Sequence, residues 1–250
     1  MSSAVFIINL DRSPDRLAFM QAQAERLNFN FERVRGVNGT RGLPKWLAPQ
    51  FVSETGEILS KMSSGEVGCY ASHLIALSRM VDRKIGPVIV LEDDVTLDTD
   101  FFTTAEAAIL AAPEGWDLIH LSTRFKNPCF TVAELNGDRR LVRHSRLPAG
   151  SAAYAISISG ASKLLASKVR KHPFDMEFRY AWIADLDIFG VHPAPAVDGA
   201  FLVSTIEAPW RTKLKSNRRY WERRLPKPRW APNPLSQLWG LLLVKPALPR

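Results

Sequence analysis

Apolar positions along the first 208 residues recur with two periods, one of two residues and one of three to four. Continuous apolar runs or strict alternation predict six strands, at residues 5–10, 29–34, 88–91, 116–122, 152–159 and 201–205. Helical spacing predicts four helices, at residues 14–27, 63–85, 101–112 and 160–170. Residues 180–189 fit neither pattern. The segment from the strand at residues 116–122 to about residue 146 is a polar connection. The opening strand, helix and strand predict an α/β fold with a mostly parallel central sheet flanked by helices.

Capping residues mark the start of two of these helices. Ser13 suits the N-cap position and Pro14 the first helical position of the first helix. Ser63 and Glu66 have the spacing of a capping box. The Gly86-Pro87 pair ends the helix that this box begins, and the next strand follows at once.

Three consecutive carboxylates, Glu92, Asp93 and Asp94, follow the strand at residues 88–91. Adjacent carboxylates repel one another, so a cation or several hydrogen-bond donors would have to compensate them. In an open α/β sheet, ligands bind beyond the carboxyl ends of the strands. Oxygen ligands suit Mn²⁺ or Mg²⁺, which could bridge a diphosphate. Strand alternation predicts that Glu92 and Asp94 point one way and Asp93 the other; a solvated acidic turn is the alternative.

The positive charge of the chain lies at its end. The whole sequence carries a net charge of +8, but residues 209–250 hold 11 of the 33 basic residues and one of the 25 acidic ones. The first 208 residues therefore carry a net charge of −2. Four of the seven tryptophans also lie in residues 209–250. We predict a basic tail that binds an anionic membrane surface. A disordered extension is the alternative, and no nucleic-acid partner is expected because no known nucleic-acid-binding motif is present.

The remaining composition favours a folded protein inside the cell. The two cysteines, Cys69 and Cys129, offer neither a disulfide framework nor a zinc-finger spacing. The first residues carry no basic leader, and no apolar stretch reaches the roughly 18 residues that a membrane span needs. We expect a cytoplasmic protein associated peripherally with the inner face of the cytoplasmic membrane, with a catalytic domain at residues 1–208 and the tail at 209–250.

Three sequence blocks together resemble glycosyltransferase family 25, which includes lipooligosaccharide and collagen galactosyltransferases. The blocks are Val5–Arg16 (VFIINLDRSPDR), Gly65–His73 (GEVGCYASH) and Leu91–Val95 (LEDDV). Weaker matches follow at residues 153–161, 173–175 and 204–206, so that the resemblance covers roughly residues 4–206. It implies a GT-A-like nucleotide-sugar-binding fold, a metal ion held by the acidic motif, and inversion at the sugar carbon. Galactose is the sugar most often associated with the family, so UDP-galactose is the expected donor.

The resemblance assigns the end of the first strand to the nucleotide. Asn9, Leu10, Asp11 and Arg12 would meet the donor, with Asp11 accepting hydrogen bonds from ribose or uracil and Arg12 or Arg16 contacting phosphate. Without the resemblance, Asp11 is a turn residue and Arg16 an exposed helical side chain.

The acidic motif and the second helix supply further assignments. Asp94 is the first choice as metal ligand and Glu92 the second, while Asp93 would bind the ribose or the donor sugar. Ser72 is assigned to donor binding. His73 would donate to a phosphate or orient an acidic residue; a core histidine is the alternative. We expect Cys69 to pack against neighbouring residues rather than to act as a nucleophile.

An inverting transferase needs a base that deprotonates the acceptor hydroxyl. Asp175, which follows Pro173 and Phe174 in a weaker matching block, is the nominated base. Three other acidic residues compete for this role, namely Glu177, Asp185 and Asp187. His192 would complete the metal shell, since a nitrogen ligand suits Mn²⁺ better than Mg²⁺.

The predicted function is therefore transfer of a hexose, galactose from UDP-galactose, onto a lipooligosaccharide or another lipid-linked glycan. Two alternatives use the same features. A metal-dependent nucleotidyltransferase would employ the same carboxylates but release pyrophosphate. A non-catalytic, membrane-associated protein would bind the nucleotide-sugar without turnover.

Overall fold

The computed structural model describes residues 3–122, 128–166 and 168–200. The strands in these residues are β1 (Ala4–Asn9), β2 (Glu32–Arg35), β3 (Val88–Glu92), β4 (Thr96–Leu97), β5 (Leu118–His120), β6 (Cys129–Glu134), β7 (Arg140–His144), β8 (Ala153–Ile156), β9 (Ile188–His192) and β10 (Ala196–Val197). The helices are α1 (Pro14–Leu27), α2 (Ala48–Phe51), α3 (Ser64–Asp82), α4 (Phe101–Ala111), α5 (Ile158–Leu165) and α6 (Asp175–Arg179), followed by a 3₁₀ turn at Ala181–Ile183.

Eight strands form one central sheet in the order β2-β1-β3-β8-β5-β9-β7-β6, and β4 pairs with β10 separately. The β1–β2, β1–β3 and β5–β9 pairs are parallel, and the other pairs are antiparallel. The α/β prediction is confirmed, although the sheet is mixed. In the β1–β3 register Ile8 lies opposite Glu92, so these two strands end side by side at one edge of the sheet.

Both faces of the central strands are buried, which explains their continuous apolar sequences. In β1, Phe6 belongs to the core layer that contains α3 and α5, whereas the next residue, Ile7, belongs to the layer that contains α1 and α4. In β3, Val90 and Ile89 divide between the layers in the same way. The helices therefore sandwich the sheet, and the carboxyl edge between them is free to hold polar groups.

Of the local signals at the helix starts, the Ser63 capping box and Pro14 are confirmed, whereas the Ser13 side chain makes no capping hydrogen bond. Ser63 caps α3 by accepting a hydrogen bond from the Glu66 amide at 3.2 Å, and the Glu66 carboxylate accepts one from the Ser63 amide at 2.9 Å. The first helix begins at Pro14 as predicted, and it ends at Asn28, which adopts a left-handed backbone conformation.

Two predictions from periodicity are wrong, and one undecided region is resolved. The polar connection before residue 146 contains the β6–β7 hairpin, whose outer strand β6 is half exposed and is interrupted by a bulge. The helix expected at residues 160–170 ends at Leu165, because the buried guanidinium of Arg170 donates to the free carbonyls of Leu164 and Ala166. The region at 180–189 resolves into the 3₁₀ turn and the start of β9.

Two other predictions lie outside the described residues. These are the strand at residues 201–205 and the tail at 209–250. Among the residues that the structure does describe, no helix combines the length and apolarity needed to cross a bilayer.

A buried histidine at the end of β5 should make the fold sensitive to acid. His120 is 1 % exposed, and its ring packs edge-on against Phe178 with a centroid separation of 5.4 Å. Burial, with a smaller contribution from His144, lowers the pKa of His120 to about 3. The unfolded chain, with an ordinary histidine pKa of about 6.5, takes up a proton that the native state does not. The contribution of His120 to the free energy of unfolding is therefore complete above about pH 6.5, and it falls as the pH drops toward 3.

We expect His120→Leu to reduce this loss by up to about 1.4 kcal/mol per pH unit between pH 6 and pH 4. Urea unfolding at several pH values measures the slope. His172→Gln is the control, because His172 is exposed and the slope should not change. An unchanged slope in His120→Leu would show that His120 is not the buried group that titrates.

Candidate active site

The ends of β1 and β3 are joined through one asparagine side chain. Asn9 is 1 % exposed, and its amide nitrogen donates to the Asp93 carboxylate at 2.7 Å and to the Ser13 carbonyl at 3.0 Å. Its amide oxygen accepts a hydrogen bond from Arg33 on β2 at 3.0 Å. The side chain predicted to meet the donor is thus engaged within the protein, where it fixes the spacing of three strand ends.

Arg16 on the first turn of α1 lies against the acidic motif. One terminal nitrogen of its guanidinium is 3.0 Å from the Asp93 carboxylate and 3.1 Å from the Asp94 carboxylate. The alternation prediction is therefore wrong for Asp93 and Asp94, because β3 ends at Glu92 and both aspartates lie in the following turn. Arg16, predicted to contact phosphate, here neutralises part of the negative charge of the cluster.

This compensation is incomplete at Asp94. Burial, followed by the nearby charges of Glu92, Asp93 and Asp198, raises the pKa of Asp94 to about 6 although Arg16 lowers it. Asp198 reaches the cluster because the Ala200 amide donates to the Asp94 carbonyl at 2.9 Å. The site thus contains more carboxylate charge than its one arginine offsets. Such an oxygen-rich cluster fits Mn²⁺ or Mg²⁺.

Glu92 has a different environment from Asp94. Its carboxylate accepts a hydrogen bond from the Ser151 hydroxyl at 2.7 Å and lies 3.4 Å from Nε2 of His73. Burial raises the pKa of Glu92, but His73 and the Ser151 hydroxyl more than offset this effect, and the pKa stands below its usual value. Glu92 is therefore ionised at a pH where Asp94 still titrates.

His73 is held rigidly on α3. Its ring is fully buried and stacks on Phe174 with centroids 4.2 Å apart and planes at 6°. Nδ1 lies 3.0 Å from the Tyr154 hydroxyl, and Nε2 faces Glu92. Of the two predicted roles for His73, contact with an acidic residue is the one that the structure shows.

Ser72 connects α3 to the loop that follows β2. Its hydroxyl donates to the Gly68 carbonyl at 2.7 Å and accepts from the Val37 amide at 2.8 Å. A Cβ atom at Gly68 would lie 2.4 Å from the Val37 carbonyl oxygen, so only glycine lets the loop pack so closely on the helix. Ser72, predicted to bind the donor, holds this loop in place.

The same loop forms one wall of a cleft of about 420 Å³ beside the strand ends. Three predicted residues line it: Leu10, Asp11 and Arg12. The remaining lining residues are Arg35, Gly36, Val37, Asn38, Arg41, Gly42, Ile75 and Arg79. Four arginines and one aspartate make the cleft strongly basic, and it is wide enough for a nucleotide. Sequence reasoning missed Arg35, although it ends a strand at the same sheet edge.

Asp175 and His192 are placed differently with respect to the acidic motif. Asp175 directly follows Phe174, the residue stacked on His73, and its charge contributes with those of Glu92 and Asp94 to a raised pKa of the Cys69 thiol, after burial. Asp175 therefore lies near Cys69 and the acidic motif. His192 ends β9, three strands from β3, which is about 14 Å at the usual strand spacing.

The Arg16 ion pairs provide a test of the cluster. Removing one partner of a buried pair leaves uncompensated charge, so Arg16→Gln should lower the free energy of unfolding by about 3 kcal/mol. Arg83→Gln is the matched control, since the Arg83–Glu32 pair is exposed and its loss should change stability far less than Arg16→Gln does. Urea denaturation at pH 7.5 measures both variants. Equal losses would show that Asp93 and Asp94 do not depend on Arg16.

Comparison with known proteins agrees with this arrangement. The family model for glycosyltransferase family 25 (LPS biosynthesis protein) matches residues 2–177. The inactive glycosyltransferase 25 family member 3 of Mus musculus is 31% identical over 215 residues, which are 76% of this chain and 36% of that protein. Its Homo sapiens counterpart is 31% identical over 239 residues, which are 82% of this chain and 39% of the relative.

A relative from Drosophila melanogaster, named glycosyltransferase 25 family member, is 28% identical over 176 residues, 66% of this chain and 28% of the relative. The chain spans less than two fifths of the length of each of these three proteins. The family match covers β1, α1, α3 and the acidic motif, which are the elements that build the site. The resemblance found in the sequence is confirmed, and the chain belongs to glycosyltransferase family 25.

Proposed function

We propose that this chain is a metal-dependent inverting transferase that moves a hexose, galactose from UDP-galactose, onto a glycan acceptor. The observation that carries the proposal is the position of the basic cleft next to a carboxylate cluster that lacks sufficient positive charge. Asn9 connects the two, because its backbone carbonyl accepts from Gly36 of the cleft at 2.8 Å and its side chain donates to Asp93. In a nucleotide-sugar donor, the nucleoside would lie in the basic cleft and the diphosphate beside the carboxylate cluster.

The cleft is suited to the nucleotide of the donor. Asp11 accepts from Arg33 at 2.8 Å and contacts Arg35, which leaves its carboxylate oriented at the strand end. Arg41 and Arg79 also line the cleft and add positive charge on the side of α3. Arginine side chains match phosphate oxygens in geometry as well as in charge. We assign ribose and uracil to the region of Leu10, Asp11 and Arg12.

Glu92 and Asp94 would hold Mn²⁺ or Mg²⁺, which would neutralise the departing diphosphate. Arg16 and Asn9 keep Asp93 in place, so the turn that carries Asp94 has a fixed position before any ligand arrives. The role of Asp93 is then to anchor this turn rather than to bind the donor sugar, as the resemblance had suggested.

Asp175 is our candidate for the base. As the acceptor oxygen attacks the anomeric carbon, the carboxylate would take the hydroxyl proton, and UDP would leave with the electrons of the broken bond. Two competitors are bound within the fold: Glu177 accepts from Tyr70 at 2.6 Å and from Lys168 at 2.7 Å, while Asp187 pairs with Arg143. The position of Asp175 near the acidic motif supports it over both.

We further propose a lipid-linked bacterial glycan on the cytoplasmic leaflet as the acceptor. Support comes from the basic, tryptophan-rich composition of residues 209–250, since basic side chains and tryptophan favour anionic membrane surfaces. The family description also refers to LPS biosynthesis.

A second candidate function is binding of a nucleotide-sugar without transfer. The names of the mouse and human relatives, which describe them as inactive, favour it. Such a protein would use the same basic cleft. It would bind UDP in the presence of Mn²⁺ but release none from a nucleotide-sugar.

A donor screen separates these functions. We expect UDP release from UDP-galactose that requires Mn²⁺ and increases with a glycan acceptor, whereas a nucleotidyltransferase would release pyrophosphate. Asp94→Asn should lose at least about 100-fold in rate, because it removes a metal ligand at the diphosphate. Asp138→Asn, in an exposed turn, is the control and should keep full rate. Equal rates in Asp94→Asn and wild type would refute the metal assignment, and UDP binding without release would favour the second candidate.

Asp175→Asn tests the base. We expect kcat to fall by about 10² to 10⁴, the usual contribution of a general base, with an unchanged dissociation constant for UDP. Asp185→Asn is the control, because Asp185 is an exposed competitor for the same role. UDP binding followed by calorimetry, with kcat from UDP release, gives both quantities. A larger loss in Asp185→Asn than in Asp175→Asn would transfer the assignment.

A further inference from the structure

Three potential metal ligands of different chemistry meet beside the acidic motif. Cys69 and His73 lie one turn apart on the same face of α3, and Glu92 lies at the end of β3. One ligand atom from each residue, a thiol sulfur, an imidazole nitrogen and a carboxylate oxygen, lies within 4.8 Å of the other two. Asp94, the first choice for Mn²⁺, is not a member of this group.

One nitrogen of the buried His73 imidazole is placed where it could bind a cation. Its ring is 0 % exposed, and Nε2 has no hydrogen-bond partner among the described residues. Nε2 lies 3.4 Å from Oε1 of Glu92, too long and too poorly aligned for a good hydrogen bond. Two ligand atoms that are each about 2.0–2.1 Å from a tetrahedral zinc ion lie about 3.4 Å apart. The His73–Glu92 pair therefore has the separation of two ligands of one ion.

Neighbouring residues hold His73 and Glu92 in fixed orientations, as the residues around the ligands of a metal site do. The Tyr154 hydroxyl lies 3.0 Å from Nδ1 of His73 and so fixes the ring nitrogen that faces away from Glu92. Phe174 stacks on the ring, and Ser151 donates to the Glu92 carboxylate at 2.7 Å. Glu92 and Cys69 are both partly exposed, which gives an ion access to the site and leaves a fourth coordination position for water.

We infer that Cys69, His73 and Glu92 form a binding site for a thiolate-preferring divalent cation, of which Zn²⁺ is the representative. The donor set separates this site from the all-oxygen pair proposed for Mn²⁺, because a sulfur and a nitrogen ligand favour Zn²⁺. A thiolate and a carboxylate also balance the two charges of the ion. The inference does not depend on the proposed transfer reaction, although the two ions would compete for Glu92.

Cobalt is a suitable probe, since Co²⁺ occupies zinc sites and a thiolate ligand gives it a charge-transfer absorption in the near ultraviolet. We expect the full-length, metal-free chain to bind one Co²⁺ with this absorption and to lose it when Zn²⁺ is added. The chain has only two cysteines, which provides a matched pair of variants. Cys129→Ser should keep the absorption and Cys69→Ser should lose it, with circular dichroism confirming that both variants fold.

Absence of the absorption from folded wild-type protein at saturating Co²⁺ would overturn the inference, as would its loss in Cys129→Ser instead of Cys69→Ser. A second measurement uses the wild type alone. Zn²⁺ should slow alkylation of Cys69 by iodoacetamide at least tenfold, as measured by mass spectrometry of the two cysteine peptides, while Cys129 reacts at the same rate with and without Zn²⁺. Equal reactivity of Cys69 in both conditions would also overturn it. Neither readout involves a donor sugar, so these results are independent of the transferase assay.

Discussion

The hydrogen bond from Asn9 to Asp93 is the contact on which the site depends. It joins the ends of two parallel strands, and Arg16 completes it by pairing with the same carboxylate from α1. Both donors are buried, so Asp93 is satisfied inside the protein and cannot turn outward. The turn that follows β3 is therefore held by Asn9 and by Arg16. Glu92 and Asp94 flank Asp93 in the sequence, so this anchor positions both carboxylates.

This anchor divides the acidic motif into groups with different electrostatics. Glu92 faces His73 and Ser151, which favour its ionised form, whereas Asp94 is surrounded by other carboxylates, which disfavour it. Glu92 and Asp94, only two residues apart, thus have pKa values shifted in opposite directions by their surroundings. A protein that needed only a stable strand end would gain nothing from this arrangement. A protein that binds a cation gains a site whose repulsion is relieved by the ion itself.

Sequence patterns predicted the parts of the fold that short segments determine. The capping box at Ser63 and the proline at the start of α1 are such cases, because each signal and the structure it specifies lie within four residues. The acidic motif could also be placed at a strand end, since the apolar run before it has only one possible role in a buried sheet. The resemblance added the nucleotide edge of β1, and the cleft includes three of its predicted residues.

The parts that could not be predicted depend on contacts between distant segments. Asp198 joins Asp94 across more than a hundred residues, and Arg79 reaches the cleft from the last turn of α3. The β6–β7 hairpin has a polar sequence because its outer strand lies at the sheet edge, where the hydrophobic pattern is weak. The resemblance assigns Ser72 to the donor, but its hydroxyl accepts a hydrogen bond from the backbone of a loop 35 residues earlier.

The acidic cluster bears on whether the chain is a catalyst, given that two relatives are named inactive. The identity of 31% to these relatives does not decide the question, because activity depends on a few side chains that the fold does not need. At neutral pH the ionised form of Asp94 opposes folding, because its pKa is raised in the native state. A neutral residue there would stabilise the protein. A destabilising carboxylate beside a basic, nucleotide-sized cleft supports the proposal of a ligand site, since functional groups are where proteins tolerate such costs.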